Sequence, residues 1–184
     1  MLSILEQIDQ SLNSRFYHLA LFASLAIPDI AGALEAPDGK ATDGRYKDWY
    51  ERWARPRFRE QVKALLAQRG VNYDTQVENP LTGDACYRFR CSLLHQGSTQ
   101  HPKSPYSRII FIEPGATISV IHYGVMNDAL CIDVPSFCRE VVAGAKLWLQ
   151  SVEGTEPYET NKDRFVQRHD NGLAPYIVGV PVIG

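Results

Sequence analysis

The sequence predicts a mainly α fold with some β structure, an α+β class, for a chain of 184 residues. Apolar residues recur with helical spacing as far as Gln96, a short stretch with strand-like alternation follows, and a last long helical pattern begins near Pro135. Hydrophobic residues make up 45% of the chain, which is enough for one buried core. A formal net charge of -2 argues against nucleic-acid binding through bulk electrostatics, so any such contact must be local.

Four helices are predicted before the middle of the chain from apolar residues at intervals of three and four. Their predicted bounds are 1–13, 14–35, 46–53 and 58–68. Pro28 is expected to kink or break the second helix, with Asp29 placed at the break. The third helix is expected to end before Pro56, and the fourth to stop at Gly70.

A fifth helix is predicted to begin after Thr82, whose side chain suits an N-cap, with Asp84 in the first turn. It should end near Gln96, because Gly97 is a typical helix stop. The period then changes to that of strands, and a small antiparallel meander of three strands is predicted at about 107–134. The three predicted strands are 108–112, 117–122 and 130–134.

The C-terminal part of the chain is predicted to contain one long helix and a tail. Pro135 and Ser136 open the helix, which has a wide apolar face. Beyond Gly154 the chain is rich in turns and is broken by prolines. We therefore expect a single domain over 1–157 and an extended tail over 158–184 that packs on the domain or on a neighbouring chain.

The clearest chemistry lies in Arg90 and His95, near the end of the fifth helix. Arginine is always cationic and can hold a phosphate with two donors, while histidine can exchange a proton near neutral pH. Together they predict phosphodiester chemistry without a metal or other cofactor. Arg88 is expected to be a second phosphate contact. Tyr87 or Phe89 is the candidate to stack on a base, although aromatic residues at this spacing are more often part of the core.

The run from Arg90 to Gly97 resembles the signature of the HEPN superfamily, an arginine followed by four to six residues and a histidine. The resemblance implies a helical bundle, here with the β-meander inserted before the last long helix. It implies a homodimer whose motif helices form a shared cleft that cuts RNA without a metal. Arg90 would bind phosphate there, and His95 would shuttle a proton. The resemblance also extends to RNA-processing toxins, for which the implied partner is an antitoxin.

Two further residues belong to this candidate site. Cys91 follows the arginine where active HEPN members often carry a polar residue. Its spacing from His95 would also suit half a zinc site or a cysteine nucleophile, but a small buried hydrophobe is the commoner role, and no metal is predicted. Asp29 is either a partner for Arg90 or a cap at the helix break, and the cap is favoured.

Other interpretations stay open. The protein can be a catalytically silent HEPN-like module that binds RNA or protein, or a purely structural dimer. In a purely structural role, Arg90 would pair with an interior acid such as Asp29 or Asp48, and His95 would cap carbonyls. His122 is expected to be a surface histidine. We expect a cytoplasmic protein without a membrane span, and three observations predict it. The four cysteines suit reduced thiols, the apolar stretch at 19–27 is too short for a bilayer, and the first residues do not resemble a secretory signal.

Overall fold

The computed structural model describes residues 1–68, 70 and 78–184, and this part of the chain is mainly helical with small sheets. The helices are α1 (Leu2–Asn13), α2 (Tyr17–Leu34), α3 (Asp43–Trp49), α4 (Arg55–Gln68), α5 (Gly83–Gln96), α6 (Val134–Val152) and α7 (Glu156–Asn161). The strands are β1 (Arg108–Ile112), β2 (Gly124–Met126), β3 (Ala129–Asp133), β4 (Arg168–His169), β5 (Gly172–Leu173), β6 (Ile177–Val178) and β7 (Val182–Ile183). The predicted mainly α class with added β structure is confirmed.

Helix α6 is at the centre of the core and packs against α1, α2 and α4. It begins where predicted, because the side chain of Asp133 accepts a hydrogen bond from the backbone nitrogen of Ser136 at 2.9 Å. Its apolar face is buried, and the rings of Trp148 and Trp49 pack edge to face at 6.4 Å between centroids. Burial of each such large side chain contributes about 1.5–3 kcal/mol. Helices α1, α2 and α4 thus lie around this face.

The helix breaks predicted at two prolines are wrong. Helix α2 continues through Pro28, which is itself buried in the core. Helices α3 and α4 are joined by a π-helical turn, Tyr50–Ala54, into one helical run that includes Pro56. A π turn displaces the carbonyls that a proline ring would meet in a regular helix, and burial at Pro28 offsets the lost hydrogen bond. Asp29 is therefore inside a helix and does not cap a break.

Two glycines permit close approaches between helices. A Cβ atom on Gly83 would lie 2.5 Å from the carbonyl oxygen of Lys47, so glycine lets the start of α5 lie against α3. A Cβ atom on Gly144 would lie 2.5 Å from the carbonyl oxygen of Trp53, where α6 meets the π-helical turn. Real Cβ atoms do not come this close to backbone, so both contacts require the absence of a side chain.

The three-stranded sheet differs from the predicted antiparallel meander. Residues 117–122 form no strand, and the second strand is β2. A tight hairpin joins β2 to β3 through Asn127 and Asp128, whose φ angles of 46° and 61° suit a two-residue turn. Strand β1 pairs with β3 in parallel, and the sheet order is β1-β3-β2. Residues 113–123 connect β1 to β2 at the far side of β3, and the β2–β3 hairpin then places β3 parallel to β1.

The C-terminal region contains more structure than an extended tail. The predicted boundary at 158 lies inside α7, and the side-chain amide of Asn161 donates to the carbonyl of Ala36 at 2.8 Å. This bond ties α7 to the chain just beyond the end of α2. The remaining residues pair with each other as two short antiparallel ladders, β4 with β7 and β5 with β6.

Because α2 continues through Pro28, it is 18 residues long with a mean hydropathy of 1.4. By length and composition alone, such a helix is able to cross a membrane. Half of its residues are buried inside the protein, however, and it packs against α1, α3 and α6. This placement is that of a core helix.

Candidate active site

Helix α5 carries the predicted site residues, and both of its ends follow local signals. The hydroxyl of Thr82 accepts a hydrogen bond from the backbone nitrogen of Ala85 at 3.2 Å, which confirms the N-cap. Gly97 ends the helix in the left-handed conformation, with φ of 64°. The backbone nitrogen of Ser98 bonds back to the carbonyl of Ser92, and the chain reverses here. The loop that follows α5 can therefore return beside it.

The two motif residues meet within one chain. On an ideal helix, positions five apart point about 140° away from each other. The long side chain of Arg90 closes this gap, and its Nη1 lies 2.9 Å from Nε2 of His95. A guanidinium can only donate, so Nε2 is the acceptor, and the neutral imidazole carries its proton on Nδ1. His95 is exposed and is therefore accessible as a base.

Asp29 holds the other end of the guanidinium. Oδ2 of Asp29 lies 2.6 Å from Nη2 of Arg90, and both side chains are about one-fifth exposed. Burial raises the pKa of Asp29, and the charges of Arg90 and His95 partly oppose this shift. The partner role for Asp29 is confirmed and the helix-break cap is wrong. Asp48 instead pairs with Arg52 at 2.8 Å.

The three side chains form one connected group that joins α2 to α5. Arg90 uses Nη1 for His95 and Nη2 for Asp29, so its guanidinium plane has a defined orientation. Nε of Arg90 and Oδ2 of Asp29 are both buried without a hydrogen-bond partner among the described residues, so the contact between Arg90 and Asp29 is an ion pair and not a hydrogen bond. Among these residues, His95 bonds to Arg90 and caps no helix-end carbonyl. The arrangement can present a fixed cation next to a proton acceptor.

The remaining predicted residues of α5 line a cleft beside this group. The cleft has a volume of about 520 Å³ and is open to solvent. Its lining residues are Lys47, Asp84, Tyr87, Arg88, Cys91, Gln96, His101, Pro102 and Lys103. We call it the α5 cleft. It brings together the predicted Tyr87, Arg88 and Cys91, while Arg90 and His95 are not among its lining residues.

Contacts inside the α5 cleft modify the roles expected for two of these residues. Nε of Arg88 bonds to Oδ2 of Asp84 at 2.5 Å, so its charge is already paired. Nζ of Lys47 lies 5.2 Å from the centre of the Tyr87 ring, over one of its faces. The Tyr87 ring also packs against the Tyr46 ring in an edge-to-face arrangement, at 5.3 Å between centroids. Tyr87 can thus offer a base at most one free face.

Sequence reasoning missed the cationic residues that other elements bring to the cleft. Lys47 comes from α3, and His101 and Lys103 come from the loop after α5. No pattern in the sequence links these positions to α5, because their proximity depends on how the helices pack. The close approach at Gly83 brings α3 to the start of α5.

Sequence reasoning also missed a buried polar network at His122, whose expected place on the surface is wrong. Its Nε2 lies 3.0 Å from Oε1 of Glu140, and its Nδ1 accepts a hydrogen bond from the backbone nitrogen of Asp133. The hydroxyl of Tyr123 donates to Oε2 of Glu140 at 2.6 Å. Burial raises the pKa of Glu140. The network fastens the connection over 113–123 to α6.

In the described ranges 1–68, 70 and 78–184, no three His, Cys, Asp or Glu side chains form a group that could hold a metal ion. The four cysteines are free thiols, and Cys91 is the only one of them that is not buried. No family model, curated protein or solved structure matches this chain. The fold and site therefore define a mainly helical protein with an aspartate, an arginine and a histidine in contact.

Proposed function

We propose that this protein is a HEPN-like endoribonuclease that cuts RNA without a metal, with Arg90 and His95 as its catalytic residues. The observation that carries the proposal is the 2.9 Å contact between Nη1 of Arg90 and Nε2 of His95. It places a phosphate-binding cation and an unprotonated imidazole nitrogen side by side. Attack of a ribose 2'-hydroxyl on the adjacent phosphate requires these two groups.

The chemical step follows from these two groups. A phosphate that binds Nη1 of Arg90 releases Nε2 of His95, which takes the proton of the ribose 2'-hydroxyl. The 2'-oxygen then bonds to phosphorus, and the bond from phosphorus to the 5'-oxygen breaks. His95 can return its proton to that leaving oxygen, while the guanidinium stabilises charge on the phosphoryl oxygens. The products are a 2',3'-cyclic phosphate and a free 5'-hydroxyl.

Asp29 acts in this proposal as a positioning residue. Its carboxylate holds Nη2 of Arg90 at 2.6 Å and leaves Nη1 to face His95. A guanidinium fixed in this way loses less entropy when it binds phosphate than one that is free to rotate.

We propose that the active form is a homodimer. Leu19 and Phe22 are 61% and 38% exposed, and their spacing places them on the same side of α2 as Asp29. A second copy on this apolar surface would bring two sites near each other. An antitoxin is the other partner that the resemblance implies. The cytoplasm is the proposed compartment, and four free cysteines support it.

A catalytically silent HEPN-like module that binds RNA or protein is the alternative. The observation that favours it is the ion pair between Asp29 and Arg90, because such a pair also joins α2 to α5 in a purely structural role. Cys91 in place of the polar residue common in active members favours it as well.

The deciding experiment incubates purified protein with mixed cellular RNA in EDTA. Wild type should cleave the RNA, while Arg90→Ala, Arg90→Lys and His95→Ala should not. Lysine is included because one ammonium cannot hold Asp29 and face His95 as the two Nη atoms do. Arg168→Ala and His169→Ala, on strand β4, are the matched controls and should cleave normally. All variants are first compared by circular dichroism and by molar mass.

Intact RNA with wild type, or cleavage that persists in His95→Ala, would contradict the nuclease. Binding of RNA without cleavage, with an affinity that falls as salt rises, would support the alternative.

A further inference from the structure

The α5 cleft lies on the face of α5 that also carries His95. Arg88, Cys91 and His95 follow each other at intervals of three and four residues, so they share one face of α5. Arg88 and Cys91 line the cleft, and so does Gln96, the residue after His95. A strand whose scissile phosphate is at Arg90 and His95 could therefore continue along the cleft.

The cleft presents donors from three elements. Lys47 comes from α3, Arg88 from α5 and Lys103 from the loop after α5. His101 is a fourth donor residue. Its Nδ1 accepts a hydrogen bond from the backbone nitrogen of Lys103 at 3.1 Å. That bond leaves the proton on Nε2, which is then a donor. Donors that converge from several directions suit a phosphate group.

Asp84 already occupies two of these donors. Its Oδ1 lies 3.2 Å from Nζ of Lys47, and its Oδ2 accepts from Nε of Arg88 at 2.5 Å. Lys47 also pairs with Asp43 at 3.0 Å. Lys103, by contrast, forms no salt bridge with any described residue. The hydrogen bonds from Arg88 and Lys47 lower the pKa of Asp84, so its carboxylate stays charged.

We propose that the α5 cleft binds one phosphate of single-stranded RNA next to the scissile bond, and that Asp84 competes with this phosphate for Arg88 and Lys47. The scissile position rests on the proposed function. A cleft of about 520 Å³ has the size of a small-ligand site, which accommodates one nucleotide unit. The net charge of -2 agrees with RNA contact through such a local site.

Competition from Asp84 means that only a ligand with sufficient affinity can bind Arg88 and Lys47 in the cleft. Free protein keeps Arg88 and Lys47 neutralised, so an isolated phosphate gains little from them. A strand that is also held at Arg90, outside the cleft, has a high local concentration at the cleft and can displace Asp84. Binding should then favour strands over mononucleotides.

The test measures binding of a fluorescent 2'-deoxy oligonucleotide of about eight residues, which the proposed reaction cannot cleave. Fluorescence anisotropy is recorded over a series of salt concentrations. Lys103→Ala and Arg88→Ala should weaken binding about tenfold, and Lys103→Ala should reduce the salt slope by about 0.7. Asp84→Asn should instead strengthen binding by about threefold, because it releases two cations.

Lys146 and Asp9 provide matched controls, since they form an exposed pair between α6 and α1 at 3.9 Å. Lys146→Ala and Asp9→Asn should leave affinity unchanged. Thermal unfolding checks that each variant is folded. The proposed phosphate site in the α5 cleft, which we call the subsite, is overturned if Lys103→Ala behaves like Lys146→Ala. It is also overturned if Asp84→Asn weakens binding as Arg88→Ala does.

The same variants separate this proposal from the nuclease. Cleavage that needs Arg90 and His95 but ignores every change in the cleft would overturn the subsite alone. Binding that responds to the cleft variants as expected, without any cleavage of RNA, would overturn the nuclease and keep the subsite.

Discussion

Nη1 of Arg90 lies 2.9 Å from Nε2 of His95, although the two residues are five positions apart on one helix. The contact exists because the arginine side chain is long and because α5 ends directly after Gln96. Asp29 fixes the far side of the guanidinium from α2. A single chain thus holds an acid, a cation and a proton acceptor in a row.

Asp29→Asn tests the role of the acid. The change leaves the partly buried guanidinium without its counter-charge, which should lower the free energy of unfolding by about 1–2 kcal/mol. If RNA is cleaved, kcat should fall about tenfold with a smaller change in KM, because Arg90 loses its orientation. Urea denaturation and initial rates measure the two effects. Asp48→Asn, in an exposed pair with Arg52, is the control, and equal losses in both variants would refute the role.

Glu140 should make stability depend on pH. Burial raises the pKa of its carboxyl, while His122 and Tyr123 oppose the shift and Asp133 adds to it. The folded state therefore binds this proton more tightly than the unfolded state, so the contribution of Glu140 to stability falls as pH rises from about 4. Glu140→Gln should remove this dependence.

The measurement for Glu140 is urea denaturation of wild type and Glu140→Gln at a series of pH values from about 4 upward. The unfolding free energy of wild type should fall relative to the variant as pH rises. Glu6→Gln, at an exposed position on α1, should follow wild type at every pH. A difference between wild type and Glu140→Gln that stays constant with pH would show that the pKa is not raised.

Gly144→Ala should lower the free energy of unfolding by about 1–3 kcal/mol. The new Cβ atom would lie 2.5 Å from the carbonyl oxygen of Trp53, so α6 and the π-helical turn must move apart. Gly44→Ala is the matched control within α3, where the nearest atom is 4.0 Å away. It should stabilise slightly, since alanine favours helix. Equal midpoints of thermal unfolding for the two variants would contradict the close contact.

Phe22→Glu should abolish the proposed homodimer. A charge on the exposed apolar side of α2 would be buried at the interface without a partner. Light scattering coupled to size-exclusion chromatography should give the mass of a dimer for wild type and of a monomer for the variant. Leu65→Glu, at a half-exposed position on α4, is the control. A wild type that is monomeric at all concentrations would rule out the homodimer.

The sequence was sufficient where the signals are local. Thr82 and Gly97 bound α5 correctly, because an N-cap and a left-handed stop act on their own backbone. The start of α6 followed from Pro135 and Ser136 in the same way. Spacing along the chain also places Arg90 and His95 near the end of α5, while their catalytic role stays a prediction.

The errors occurred where distant contacts outweigh local preference. Pro28 would break an isolated helix, but the core encloses it within α2. The segment 117–122 alternates like a strand, yet β1 pairs in parallel with β3 and the segment belongs to the connection from β1 to β2. Strand pairing depends on which backbone groups meet in space, and alternation cannot show it.

In the candidate site, too, some features follow from local sequence signals and others only from packing. The sequence pattern along α5 was enough to single out Arg90 and His95 as a candidate pair, whose chemistry stays a prediction. Packing was needed to choose Asp29 over Asp48 as the partner of Arg90, and to bring Lys47 and Lys103 to the cleft. Capping and periodicity involve only neighbouring residues, whereas ion pairs between helices depend on how the whole core excludes water and orients each face.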